Sequence, residues 1–206
     1  MHDGLLPLFP LSLVLLPNQE LPLHIFEDRY KEMIGAVLRE GREFGVVLAA
    51  SGGIAATGCT ASVEQVVKEY DDGRMDIVTL GQRRFVIREL DQELSYLRGQ
   101  VDFFDDEDSA ASQDLRERAV RLRAGVENAT EADPGDPLLS FTLARGIEDL
   151  ELRQHLLMSR SESERLRRLV GFLPAYSERL RQSERMRELA PKNGHGKLPE
   201  GLGDGS

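Results

Sequence analysis

The chain has 206 residues, one cysteine, no tryptophan and a formal net charge of -10. One cysteine excludes an internal disulfide and a four-cysteine zinc site, and a chain of this length can bury about 70% of its unfolded surface without either. The acidic balance argues against a broad nucleic-acid footprint, and neither half supplies a basic face, with 10 basic against 16 acidic side chains through Phe104 and 16 against 20 beyond it.

The chain opens on an apolar run cut by Pro7, Pro10, Pro17 and Pro22. A proline in a helix interior costs ~3 kcal/mol, so this run is expected to be extended, buried and near a sheet edge or bulge. A helix follows, with Tyr30, Met33, Ile34, Val37 and Leu38 on one face and Gly41 at its end. Residues 44–48 read as a short apolar strand and residues 58–66 as a half-buried one. Asp71-Asp72-Gly73-Arg74 reads as a tight hairpin turn into residues 75–81, which lead into 83–87, and a strand over 96–101 follows.

The order of these motifs resembles the substrate-binding domain of the ATP-dependent protease La (Lon) family over residues 5–104. The carriers are the proline-cut entry strands, Phe44-Gly45-Val46, a strand opening on Gly58, Asp72-Gly73-Arg74, Gly81-x-x-Arg84-Phe85 and Tyr96-Leu97-x-x-x-Val101. The resemblance implies an α+β fold. A PUA-like, mostly antiparallel β module (a pseudo-barrel) over residues 1–104 is followed by a helical bundle with a long terminal helix. It also implies recognition of exposed apolar segments in unfolded or degradation-marked polypeptides. The PUA-like analogy points to RNA as well, but the net charge opposes it.

Residues 105–112, rich in Asp and Glu, are expected to form a solvated linker rather than a cation site, because they lack the alternating ligands of a calcium loop. A helical subdomain is expected over 113–189. Its first helix carries Leu115, Ala119, Leu122 and Val126 on one stripe, and a second starts at Asp136-Pro137. A third starts near Asp149, and Ser161 with Glu164 forms a capping box for a fourth. The stripe of that last helix runs past Pro174 to Leu180, which predicts one long, kinked helix. Leu138 to Ala144 and Arg153-Gln154-His155-Leu156-Leu157-Met158 are also similar to the helical portion of Lon-type chains. Residues 190–206, rich in glycine and lysine, are expected to be disordered.

No catalytic or cofactor pattern emerges. The segment from Gly53 to Thr60 has P-loop glycine spacing, but Cys59 stands where the lysine belongs, so it reads as a loop entering a strand. The four lysines, Lys31, Lys68, Lys192 and Lys197, lie in no segment resembling a Ser-Lys protease, and no Gly-x-Ser-x-Gly or His-Glu-x-x-His is present. The chain is therefore expected to be non-enzymatic, with no metal and no cofactor. It contains no apolar stretch of the ~20 residues that span a membrane and opens with no basic signal segment, so it is expected in the cytoplasm.

His24, Glu27, Asp28 and Arg29 could form a general-base cluster, but a hydrogen-bonded strand-to-helix corner explains them better. The candidates for peptide contact are His24, Phe26, Tyr30 and Arg84 around this corner, with Phe103 and Phe104 at the module junction; for each aromatic the competing reading is core packing. Two routes suit a polypeptide: an open sheet edge, or a groove between the β module and the helices. The expected partners are unfolded or exposed polypeptide segments and a separate protease or chaperone. Self-association through the terminal helix and RNA binding are the alternative readings.

Overall fold

In the computed structural model, which describes residues 4–50, 52–107, 111–126, 129 and 131–189, the proline-cut opening forms β1 (Leu6–Leu11) and β2 (Glu20–Ile25). Residues 108–110 of the expected linker and the expected tail from 190 lie outside the described residues. Helix α1 (Asp28–Glu40) follows, then β3 (Phe44–Ala50), β4 (Gly53–Glu69), β5 (Met75–Asp91) and β6 (Arg98–Phe103). The expected hairpin turn joins β4 to β5, with Tyr70 N–H donating to Arg74 O at 2.9 Å.

Five strands close on themselves. β1 pairs with β3 in parallel, and β3–β4, β4–β5, β5–β6 and β6–β1 pair antiparallel, which completes a ring. β2 stands outside this ring and pairs with the first half of β5. β4 and β5 can serve both layers because each runs 17 residues, with register shifts along their pairing.

β1 is not at a sheet edge, as its prolines suggested. It is flanked on both sides, but over different stretches: Leu6 and Pro7 face β6, while Leu8 to Leu11 face β3. Leu8 N–H, between the prolines, donates to Leu97 O at 2.8 Å. Pro22 does lie on the edge strand β2, where a missing N–H disturbs least.

The barrel interior is filled by Leu6, Leu8, Val47 and Phe85. Phe85 fits because two glycines face it: a Cβ at Gly45 or at Gly58 would sit 2.6 Å from Phe85 Cζ. The Gly-x-x-Arg-Phe and Phe-Gly-Val motifs are thus two parts of one packing constraint.

The larger core lies outside the barrel and continues without a break into the helices. Phe9, Tyr30, Met33, Ile34 and Phe44 belong to the same buried cluster as Leu139, Phe141, Leu156 and Leu169. Tyr30, Met33, Ile34 and Val37 of α1 are buried as expected, and Leu38 is partly exposed.

Helices α2 (Gln113–Ala124), α3 (Leu139–Leu143), α4 (Leu150–Met158) and α5 (Glu162–Leu189) complete the chain. The Ser161 cap read from the sequence is present, its Oγ accepting from Glu164 N–H, and α4 starts at Asp149 as expected, with Asp149 Oδ1 accepting from Leu152 N–H; Ser112, not read as a cap, accepts from Leu115 N–H. Asp136 holds the turn before α3, accepting from Leu138 N–H at 2.8 Å, so that helix starts later than its sequence suggested. α5 is a single helix of 28 residues with Pro174 inside it. The expected stripe of α2 faces the core, with Ala119 and Val126 buried and Leu115 and Leu122 partly buried against it, and Arg116 and Arg123 are buried beside it.

Gly58→Ala is expected to lower stability by about 2 kcal/mol through overpacking against Phe85 and the Val46 carbonyl. Gly52→Ala, with open space around it, should stay within about 0.5 kcal/mol of the parent. Urea unfolding midpoints of the two variants compare these directly.

Candidate functional site

The segment between β1 and β2 is unusually apolar for a loop, and it folds back as a wall. Leu16 N–H donates to Gln19 Oε1 at 3.4 Å, and Asn18, at a φ of 56°, turns the chain. Asn18 N–H then donates to Gly81 O and Gly81 N–H to Gln19 O, pinning the loop to β5. This crossing requires glycine, since a Cβ at Gly81 would lie 2.2 Å from Leu16 O.

Arg153 of α4 holds the other side. Its guanidinium, 6% exposed, donates to Val14 O at 2.7 Å, Ala144 O at 2.9 Å, Ile147 O at 3.3 Å and Gln19 Oε1 at 2.5 Å. Burial draws this guanidinium down to about 10, which leaves it charged at neutral pH. The β1–β2 loop and the α3–α4 loop therefore meet across one arginine.

Between these loops lies an apolar groove of about 380 Å³, walled by Leu13, Val14, Leu15 and Leu21 on the β side and Ile147 and Leu150 on the helical side. This volume falls in the range of sites that take small ligands or a few side chains. A second, more polar recess of about 440 Å³ adjoins it at Gln19 and is bordered by Asn18, Glu20, Leu80 and Arg145. The groove lies where the β module meets the helices, one of the two routes read from the sequence. Its residues were not among those nominated, because loops from distant parts of the chain form its walls.

The six nominated side chains divide by exposure. Phe26 is 59% exposed and Phe103 44%, whereas Tyr30, Arg84 and Phe104 are 7%, 6% and 8% exposed. Tyr30 packs on Phe9, with ring centroids 4.1 Å apart. Exposed His24 stacks on Phe26 and bonds through Nδ1 to Asp76 Oδ1 at 2.6 Å. His24 does not meet the carboxylates nearest in sequence: Glu27 pairs with Arg29 and Asp28 with Lys31. These groups therefore form separate pairs, not the general-base cluster weighed against the structural corner, and Phe103 is covered on one side by Arg83, 3.9 Å from its ring centre.

Arg84, rather than facing an open surface, is buried and ties the barrel to the helices. Its guanidinium donates to Ser159 O at 2.5 Å and to Asp106 Oδ1 at 2.6 Å and lies over the Phe104 ring. Arg165, also buried, donates to both Asp106 oxygens, to Glu162 Oε2 and, through Nε, to Ser140 Oγ. Asp106, expected within a solvated linker, is instead held between two guanidinium groups. Burial raises its carboxyl, but hydrogen bonding and charge attraction from Arg165 and Arg84 outweigh this and keep it below the usual carboxylate range.

The P-loop-like glycines Gly53 and Gly58 lie within strand β4, and Cys59 of that strand is fully buried with its thiol pushed up to about 12 by desolvation. Among the described residues no group of three His, Cys, Asp or Glu side chains could hold a metal ion, and no helix is long and apolar enough to cross a membrane.

The family description that matches this chain is the ATP-dependent protease La (LON) substrate-binding domain, over residues 5–175. The match spans the β module, both groove loops and the Arg84–Asp106–Arg165 tie. Among solved structures, a Lon N-terminal domain protein from Xanthomonas campestris is 27% identical with a TM-score of 0.68, covering 82% of this chain and 98% of its own. The N-terminal domain of the Mycobacterium avium complex Lon protease shares the fold at 16% identity with a TM-score of 0.60, again covering 82% of this chain and 98% of its own.

Arg153→Met is expected to cost about 3 kcal/mol, since it strands buried carbonyls on both loops, and Arg153→Lys should not restore it because one ammonium cannot reach all four acceptors. Chemical denaturation of both variants tests this. The Asp106 carboxylate contributes stability that is complete above the ordinary Asp value of ~3.9 and is lost as pH falls through its depressed folded value. The stability gap between the parent and Asp106→Asn should therefore be constant from neutral pH to about 5 and close below about 4. A gap that persists undiminished at the acid end would contradict the assignment.

Proposed function

This chain belongs to the family of ATP-dependent protease La (LON) substrate-binding domains, and on that premise we propose that it recognises polypeptide, holding exposed apolar segments in the groove between the β1–β2 and α3–α4 loops. The observation that carries this reading is the groove itself: an apolar recess of about 380 Å³ between the β module and the helices, inside the matched residues. The matched family is the substrate-binding part of a protease, as distinct from its peptidase and ATPase domains. In this reading the chain does no chemistry of its own and acts in the cytoplasm as an adaptor, presenting clients to a separate protease or chaperone. His24, Phe26 and Phe103 supply secondary contacts from the surface, while Tyr30, Arg84 and Phe104 act only through the scaffold.

A permanently unfolded probe, such as a reduced and carboxymethylated protein carrying a fluorophore, should bind saturably, read as anisotropy. Leu150→Asp places a charge on the groove rim, where the leucine is 38% exposed, and should weaken binding about tenfold with little loss of stability. Phe26→Ser should have a smaller effect. If Phe26→Ser abolishes binding and Leu150→Asp leaves it intact, the site lies at the β2–α1 corner and not in the groove.

A further inference from the structure

The deeply buried arginines at the junction each reach several acceptors, but the half-buried Arg145 does not. Arg153 has four, Arg165 is held by Asp106, Glu162 and Ser140, and Arg84 by Asp106 and the Leu157 and Ser159 carbonyls. The half-buried Arg145 guanidinium makes one hydrogen bond, from Nη2 to Asn18 O at 2.5 Å. Its Nε is shut off from water without an acceptor, and among the described residues no carboxylate pairs with it. A guanidinium carries five donors in a planar fork suited to a carboxylate. Arg145 borders the polar recess that joins the apolar groove at Gln19.

We infer that Arg145 forms a carboxylate subsite at the end of the groove, so that the preferred client is an apolar carboxy-terminal tail with its free α-carboxylate in the Arg145 recess. This rests on the polypeptide-recognition reading above and adds which part of the polypeptide is read. The terminal carboxylate lies within one residue of the last side chain, as the recess lies directly beside the groove. An acidic side chain shares the chemistry but fits the surroundings less well. Glu20 borders the same recess and Glu148 lines the groove, so one negative charge is matched at Arg145 and further ones are repelled. A modest rotation of Arg145 turns Nε and Nη1 toward the entering oxygens and supplies the missing acceptor.

The test uses the full chain and three fluorophore-labelled peptides with one apolar sequence: a free acid, its carboxy-terminal amide, and an amide in which the last residue is Glu. The free acid should bind about tenfold tighter than either amide, with the advantage shrinking as salt is raised. Arg145→Gln should bring the acid to the affinity of the plain amide while leaving the amide unchanged, which also reports that the groove is intact. Glu20→Gln should tighten the acid about threefold and leave the plain amide alone. Equal binding of acid and plain amide overturns the subsite while the groove reading stands. A Glu-ending amide that matches the acid shows that the terminus is not what is read. Absence of saturable binding by all three, with the unfolded protein also unbound, overturns the subsite and the groove reading together.

Discussion

Buried guanidinium groups dictate how the two halves of this protein meet. A charged side chain removed from water must find hydrogen-bond acceptors, and Arg84 and Arg153 each find some of theirs on the opposite side of the junction from their own backbone. Arg84 leaves the barrel wall to reach carbonyls at the end of α4, and Arg153 leaves α4 to reach the loop after β1. Arg165 then joins the linker to α3 and α5 through Asp106, Ser140 and Glu162. Apolar burial supplies much of the driving force across this junction, but it is non-directional. The arginines add direction, because a fork satisfied by several carbonyls fits only one docking arrangement.

The groove follows from this arrangement. Its two walls are loops, and loops with few regular hydrogen bonds hold a shape only when something else positions them. Here the β1–β2 loop is pinned on one side by its exchange with Gly81 of β5 and on the other by Arg153. The apolar side chains between these anchors then border an open space without collapsing into it. The barrel contributes indirectly: Phe85 packed against Gly45 and Gly58 holds the strand that carries both Gly81 and Arg84.

Much of the fold was legible because it rests on local rules. Alternating strands, the Asp-Gly hairpin, the helix start near Asp149 and the Ser161 cap depend on near neighbours in the sequence. What misled was orientation at adjacent positions. Arg83 and Arg84, and likewise Phe103 and Phe104, point to opposite sides, one member of each pair exposed and the other buried. Period-two reasoning finds the alternation but cannot choose its phase without the neighbouring layer. The acidic stretch read as solvated because the two arginines that claim Asp106 lie 22 and 59 residues away. The groove residues carried a fainter signal: Arg153 sits within the apolar stripe of α4, where an arginine has to be paired. Its main acceptor, Val14, is 139 residues distant and could not be named in advance.

That separation also orders the assembly of the molecule. During synthesis from the amino terminus, the barrel has all its strands once β6 has emerged. Val14, Leu15 and Leu16 still lack the part of their shared core that the later helices supply. Contacts across such long loops form late, after the closure entropy of the intervening chain has been overcome. The nascent protein therefore presents, for a time, an apolar stretch of the kind that its finished groove is proposed to receive.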